Sequence, residues 1–206
     1  MKIAVVSLKG GVGKTVCVTA LSYACRAANP FLFDTDEQQS CLAFNWGKSG
    51  VSAVGCGPVQ AANMAEQVGE RLCFFDCPAS LVLSAPILSI CDAALVPVEA
   101  DFLALRAVLP MQEEMERRFP ALKVRYVLTR YIPSRELSRD IRDAAREQWG
   151  QSAFDSLCKT MLPSSADFGK CAANGETVLQ GAPDSNAGKS MLRLLRELAP
   201  LWNLPL

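Results

Sequence analysis

Lys2-Ile3-Ala4-Val5-Val6-Ser7-Leu8-Lys9-Gly10-Gly11-Val12-Gly13-Lys14-Thr15 is the stretch that decides the fold. The run from Lys2 to Ser7 is apolar and rich in β-branched residues, as a strand buried on both faces must be. Three glycines follow, and then a helical pattern over Thr15 to Ala27. Glycines let backbone N–H groups curl around an anion, and the start of a helix adds its partial positive charge. Lys14 then reaches the β/γ-phosphates, and the Thr15 hydroxyl is placed to ligate magnesium. The glycine expected five positions before Gly13 is Leu8, and Lys9 stands beside it, so the loop departs from the ordinary phosphate-loop pattern.

Outward from this loop, short apolar runs alternate with helical periodicity. Strands are predicted at Lys2 to Ser7, Phe31 to Asp34, Leu72 to Asp76, Ala93 to Val98, Val124 to Thr129 and Lys159 to Leu162. Helices are predicted over Thr15 to Ala27, Gln60 to Gly69, Leu103 to Arg118, Arg135 to Trp149, Ala166 to Ala173 and Ala187 to Leu198. The alternation specifies an α/β chain with a mostly parallel sheet flanked by helices on both faces. With no repeat or linker in 206 residues, one domain over 1–206 is expected.

Composition narrows the chemistry. Half of the residues are hydrophobic and 20% are charged, well away from the disordered regime. There is no histidine, which excludes His-based triads, His-ligated zinc and imidazole shuttles. Nine cysteines occur without a C-x-x-C spacing, and they read as small core hydrophobes of a reducing, cytoplasmic setting. The N-terminal run is too short for a secretory signal, and the longest nearly apolar stretch, Leu81 to Ile90, is far below the roughly 20 residues of a spanning helix.

In open α/β sheets ligands sit beyond the carboxyl ends of the strands. Strand two ends in Asp34-Thr35-Asp36, and the next long strand ends in Asp76-Cys77-Pro78. One strand-end aspartate is most simply a cap or turn former. Three beside a phosphate cradle make a magnesium-and-water apparatus for phosphate hydrolysis, with Thr15, Asp34, Asp36 and Asp76 as metal candidates. A second Gly-Lys-Ser at Gly188 to Ser190 lacks both the leading glycine and the preceding strand, and reads as a helix start.

The loop, the Asp34-Thr35-Asp36-Glu37-Gln38 segment with Ser40 and Trp46, and the Asp76-Cys77-Pro78 strand end resemble the ParA/MinD ATPases with a deviant Walker A motif. The likeness continues through Leu95 to Asp101, Ala104-Leu105, Val127 to Arg130, and Pro163 to Ser185. It implies ATP and Mg2+ as cofactors, with the nucleotide held by Lys9, Gly10, Gly11, Val12, Gly13, Lys14 and Thr15, by Thr129 and Arg130 bordering the adenine, and by Pro163. Lys9, Lys14 and Asp36 would be catalytic, Lys9 as the signature lysine that crosses to a partner's nucleotide and Asp36 as the group positioning the attacking water. Asp76 would act on magnesium from outside its inner ligands.

Two residues depart from the pattern: Glu37 stands where the family has proline, which bears on hydrolysis rate, and Cys17 where it often has threonine. The resemblance implies an ATP-dependent homodimer, slow hydrolysis stimulated by a ParB-like or cargo adaptor, and non-specific DNA as the surface, hence a nucleoid-associated protein. Residues 1–122 carry net charge −3 and residues 123–206 carry +3, with Lys170, Lys189, Arg193 and Arg196 as DNA-contacting candidates. The alternative is a MinD-like membrane-surface ATPase. Such proteins carry a basic amphipathic helix beyond the fold, whereas Met191 to Arg196 reads as a core-packing face, so DNA is expected and a membrane is not.

Overall fold

The structure, a computed structural model, describes residues 1–47, 49–132 and 140–206. In chain order the elements are β1 (Lys2–Val5), α1 (Lys14–Ala24), β2 (Phe31–Asp34), β3 (Ser52–Gly55), α2 (Pro58–Gln67), β4 (Cys73–Asp76), α3 (Leu81–Leu88) and β5 (Ala93–Glu99). Then follow α4 (Phe102–Arg106), α5 (Val108–Arg118), β6 (Lys123–Thr129), α6 (Ile141–Asp155), α7 (Ala166–Ala173), α8 (Val178–Gly181) and α9 (Asn186–Trp202). The six strands form one parallel sheet in the order β3-β2-β4-β1-β5-β6. From β1 the chain moves out to β2 and β3, returns to insert β4, and then adds β5 and β6 on the far side. The strand order therefore reverses beside β1, where a crevice opens at the carboxyl edge.

Side-chain alternation divides the interior into two layers. Ile3, Val5, Leu32, Phe74 and Leu95 face α1 and α9, where Met191, Leu194, Leu198 and Trp202 are buried. Ala4, Val6, Phe33, Phe75 and Val96 face the helices from α2 to α6, among them Ile87, Met111 and Trp149. Seven of the nine cysteines are buried and all are free, in keeping with their reading as core residues. The parallel register places Asp34 opposite Asp76, so the packing of these apolar strands delivers both carboxylates to the same edge.

The structure corrects several boundaries. Lys159 to Leu162 is not a strand. The segment runs beside β6, and Cys158 and Leu162 donate to the Tyr126 and Leu128 carbonyls (both 2.8 Å), but between them the Glu197 carboxylate accepts the Lys159 and Thr160 amides (2.6 and 3.0 Å), so no continuous ladder forms. The helix predicted over Leu103 to Arg118 is two helices. Pro110 has no N–H to give the Arg106 carbonyl four residues back, and α4 ends there. Strand β3 and helix α3 carry too weak a periodic signal to be predicted; α3 is started by Ser80, whose hydroxyl accepts from the Leu83 amide (3.3 Å). Of the helix predicted over Arg135 to Trp149, residues 135–139 lie outside the described residues. The rest is helical from Ile141 and breaks after Trp149, where Gly150 takes φ 70. No helix among the described residues is long and apolar enough to cross a membrane.

Candidate nucleotide site

The loop between β1 and α1 turns on two glycines with left-handed backbone, Gly11 (φ 73) and Gly13 (φ 100). Gly13 caps α1 without a side chain, so the first amides of that helix have no acceptor from a capping side chain and are available to an anion. The loop's shape is fixed from β6. Thr129 donates its hydroxyl to the Val12 carbonyl (2.9 Å), and the Arg130 guanidinium donates to the Gly11 carbonyl (2.7 Å).

Lys14 is the first residue of α1, and its side chain is only 7% exposed. Its ammonium lies 3.9 Å from Asp36 Oδ2. The Thr15 hydroxyl donates to Asp76 Oδ2 (2.7 Å). Asp34 is buried at the end of β2, where Oδ2 accepts the Cys41 amide (2.7 Å) and Oδ1 accepts the Asp36 amide (3.3 Å). Burial raises the Asp34 carboxyl above its ordinary range. It raises Asp76 more, to about 6, against the pull of its hydrogen bonds from Thr15 and Cys41.

The structure thus brings Lys14, Thr15, Asp34, Asp36 and Asp76 together beside the glycine loop. A crevice of about 280 Å³ joins the loop to Thr129, Arg130 and Pro163, so these three residues, all expected on the nucleotide, share one pocket with it. Lys9 is elsewhere: its side chain is 65% exposed and its ammonium donates to Glu99 (2.7 Å). A larger, mostly apolar cavity of about 730 Å³ opens on the other side of the loop, lined by Leu8, Lys9 and Val12 together with Val98, Phe102 and Leu103. Glu37 is exposed, and Cys17 is a core residue. Lys170, Lys189, Arg193 and Arg196 are all exposed, the last three on one face of α9, and the described residues contain no ion pair to any of them.

Cys41 was not legible as a site residue. Its thiol donates to Asp76 Oδ2 (3.1 Å), and it forms with Asp34 and Asp76 the one group of close metal-ligating side chains among the described residues. The only signal in the sequence was its place in the loop that follows Asp34 and Asp36.

The residues present fit a magnesium ion. Asp76 Oδ1 is buried without a partner, its Oδ2 accepts from the Thr15 hydroxyl, and the hydroxyl and the two crowded carboxylates of Asp34 and Asp76 are oxygen donors suited to a hard divalent cation, with the Cys41 thiol beside them a hydrogen-bond donor. The same burial makes a prediction. The Asp76 carboxyl is harder to ionise in the fold than in the unfolded chain, so protonation favours the empty fold. That advantage is about 3 kcal/mol at most, is complete below about pH 3.8 and is lost as pH rises through about 6. Asp76→Asn should therefore raise the melting temperature of the nucleotide-free protein at pH 7 and flatten its rise between pH 7 and pH 5. The variant should also lose the added stability that Mg-ATP gives. Melting curves showing an unchanged pH slope would remove Asp76 as the strained carboxylate.

A phosphate-loop α/β protein is what this sheet and this cradle define. The family is shown by comparison: the CobQ/CobB/MinD/ParA nucleotide binding domain matches residues 3–178, and the chain belongs to that family. It is 27% identical over 217 residues to the maintenance of carboxysome distribution protein A of Halothiobacillus neapolitanus, covering 96% of each chain. It is 27% identical over 129 residues to the chromosome partitioning protein ParA of Caulobacter vibrioides, covering 60% of this chain and 47% of that one. Against the first-ranked curated relatives the matched part is 39% to 47% of their length, so the chain spans less than half of them. In fold it matches the septum site-determining protein MinD of Pyrococcus horikoshii, solved with Mg-ADP, with TM-score 0.79 at 18% identity over 97% of this chain and 96% of that one.

Proposed function

We propose that the protein is a Mg-dependent ATPase of the ParA kind. It pairs on ATP, binds DNA without sequence preference, and positions or partitions a cargo, with slow hydrolysis stimulated by a ParB-like or cargo adaptor. The observation that carries this reading is the convergence of Lys14, Thr15, Asp36 and Asp76 on one glycine loop while Lys9 points out of it. Thr15 would hold Mg2+, with Asp34, Asp36 and Asp76 around it. When bound, the ion neutralises charge that develops on the phosphate oxygens.

The remaining chemistry falls to the chain. Loop amides and Lys14 bind and orient the phosphates, Asp36 positions the attacking water, and Lys9 of a second copy delivers a cation to the transferring group. The group nearest to Lys14 is a carboxylate, a weak base near neutral pH, and slow turnover follows. Leu8, Phe102 and Leu103 are exposed around the cavity next to Lys9, which supports a second copy meeting this face. The full-length likeness to a carboxysome-distribution protein supports a protein assembly as one class of cargo, beside a plasmid or a chromosome region.

The DNA surface is supported by the basic face of α9, Lys189, Arg193 and Arg196, and by Lys170 on α7. Two such faces in one dimer gain effective concentration, so binding should need ATP. Affinity for unrelated duplexes should be equal, should fall steeply with salt, and should collapse with ADP. A salt series on two duplexes, beside flotation with anionic liposomes, tests this. Liposome binding without DNA binding would replace the reading with a MinD-like, membrane-surface one.

A further inference from the structure

We propose that Glu99 is a latch that holds Lys9 on its own subunit and must open before Lys9 can serve a second copy. The inference rests on the reading of Lys9 as a residue that acts across a dimer. Strands β1 and β5 are neighbours, paired at Val5 and Leu95, so the loop after β1 and the end of β5 emerge side by side. There the Lys9 ammonium donates to Glu99 Oε2 at 2.7 Å. The other carboxylate oxygen, Oε1, lies 3.6 Å from Arg130 Nη1, and the same guanidinium donates through Nη2 to the Gly11 carbonyl. One carboxylate therefore takes a cation from the loop after β1 and a cation from the end of β6.

The two partners of Glu99 differ in freedom. Arg130, 57% exposed, is also tied to the phosphate loop, whereas Lys9, 65% exposed, is bound among the described residues by Glu99 alone. When Lys9 leaves, Glu99 keeps Arg130, so opening the latch does not strand a charge. The Glu99 hydrogen bond also raises the Lys9 ammonium's pKa, with Asp101 acting in the same direction and Arg130 against it. Pairing on ATP then exchanges one anion for another at Lys9: the carboxylate of its own subunit for the phosphates of the partner's nucleotide. ADP gives Lys9 less to exchange for, and the latch stays shut. Glu99 is thus a positioning residue that sets how readily the dimer forms.

An exposed ion pair of this kind changes an equilibrium by about threefold, and a dimer opens two of them, so Glu99→Gln should tighten ATP-dependent dimerisation by about tenfold. The gain should shrink at about 0.5 M salt, because exposed pairs are screened there. Sedimentation velocity with Mg2+ and a non-hydrolysable ATP analogue reads both effects, on the wild type, Glu99→Gln and Glu99→Ala. A second measurement needs no dimer: acylation of Lys9 in the nucleotide-free protein, followed by peptide mass spectrometry, should be faster in both variants. If the wild type dimerises and both variants dimerise no better with ATP affinity intact, the latch is wrong while the trans role of Lys9 stands. A wild type that stays monomeric with the analogue overturns both. Unchanged Lys9 acylation in the variants also sinks the latch, since the pair then does not hold the ammonium.

Discussion

Lys14→Ala loses ATP: titration calorimetry should show its affinity down by about a hundredfold or more, the usual cost of deleting one member of a buried charge pair. Lys14 is nearly buried at the first turn of α1, with one carboxylate, Asp36, at 3.9 Å and with Gly13, the residue before it, capping the helix. Among the described residues the neighbouring cations are engaged elsewhere: Lys9 points to Glu99, and Arg130 is engaged by Gly11 and Glu99. The empty variant should stay folded, since the core beneath the site is built of apolar strands and α1 retains its packing through Cys17, Val18 and Leu21. A melting curve beside the titration separates the two effects. Unchanged ATP affinity in a folded Lys14→Ala protein would withdraw the phosphate cradle from this loop.

The parts of the fold written into the sequence were those where local chemistry and tertiary structure demand the same residues. Strand β1 must be apolar on both faces and the loop after it must contain glycine, so Lys2 to Thr15 specified a strand, a turn and a helix start together. Strand β3 is an edge strand of four residues, Ser52 to Gly55, none of them fully buried, and such a strand needs no periodic pattern. Helix α3 is apolar nearly all round with Pro86 inside it, so neither a helical nor a strand period stands out. The segment before Pro163 has strand-like residues but gives two of its amides to a glutamate that lies 37 or 38 positions further on, a contact that no local pattern encodes.

The site divides in the same way. Lys14, Thr15, Asp34, Asp36 and Asp76 lie next to strand ends or glycines and announce themselves by position. Cys41 looked like any other core cysteine until the loop after β2 folded it onto Asp76. Glu99 ends a buried strand and has no motif of its own; only the adjacency of β1 and β5 gives it Lys9 as a partner. What escaped the sequence in both cases is a long-range contact between groups that are individually commonplace.

Asp36→Ala should bind Mg-ATP at close to wild-type affinity and hydrolyse it about a hundredfold or more slowly, the range that positioned proton acceptors contribute. The expectation follows from where Asp36 stands. It lies beyond the end of β2, its amide held by Asp34 Oδ1 and its own Oδ1 accepting the Gln38 amide, while Oδ2 faces Lys14. Those two amide contacts fix the carboxylate within the loop, and its 27% exposure leaves it open to water. In the ground state the residue would repel the triphosphate and attract the Mg2+ bound with it, two opposed effects, so removing it should cost little affinity and leave Lys14 free to face the phosphates. In the proposed mechanism the same carboxylate would orient the attacking water and receive its proton in the transition state, an interaction made only there, so its loss should lower kcat and spare binding. If the protein pairs on ATP as proposed, the paired state with ATP unconsumed would have no route back, and dimer should accumulate on a sizing column where the wild type should relax to monomer. Phosphate release at the wild-type rate from a folded Asp36→Ala protein would take Asp36 out of the chemistry, and Asp34, held by two backbone amides, would be left as the nearest carboxylate to examine.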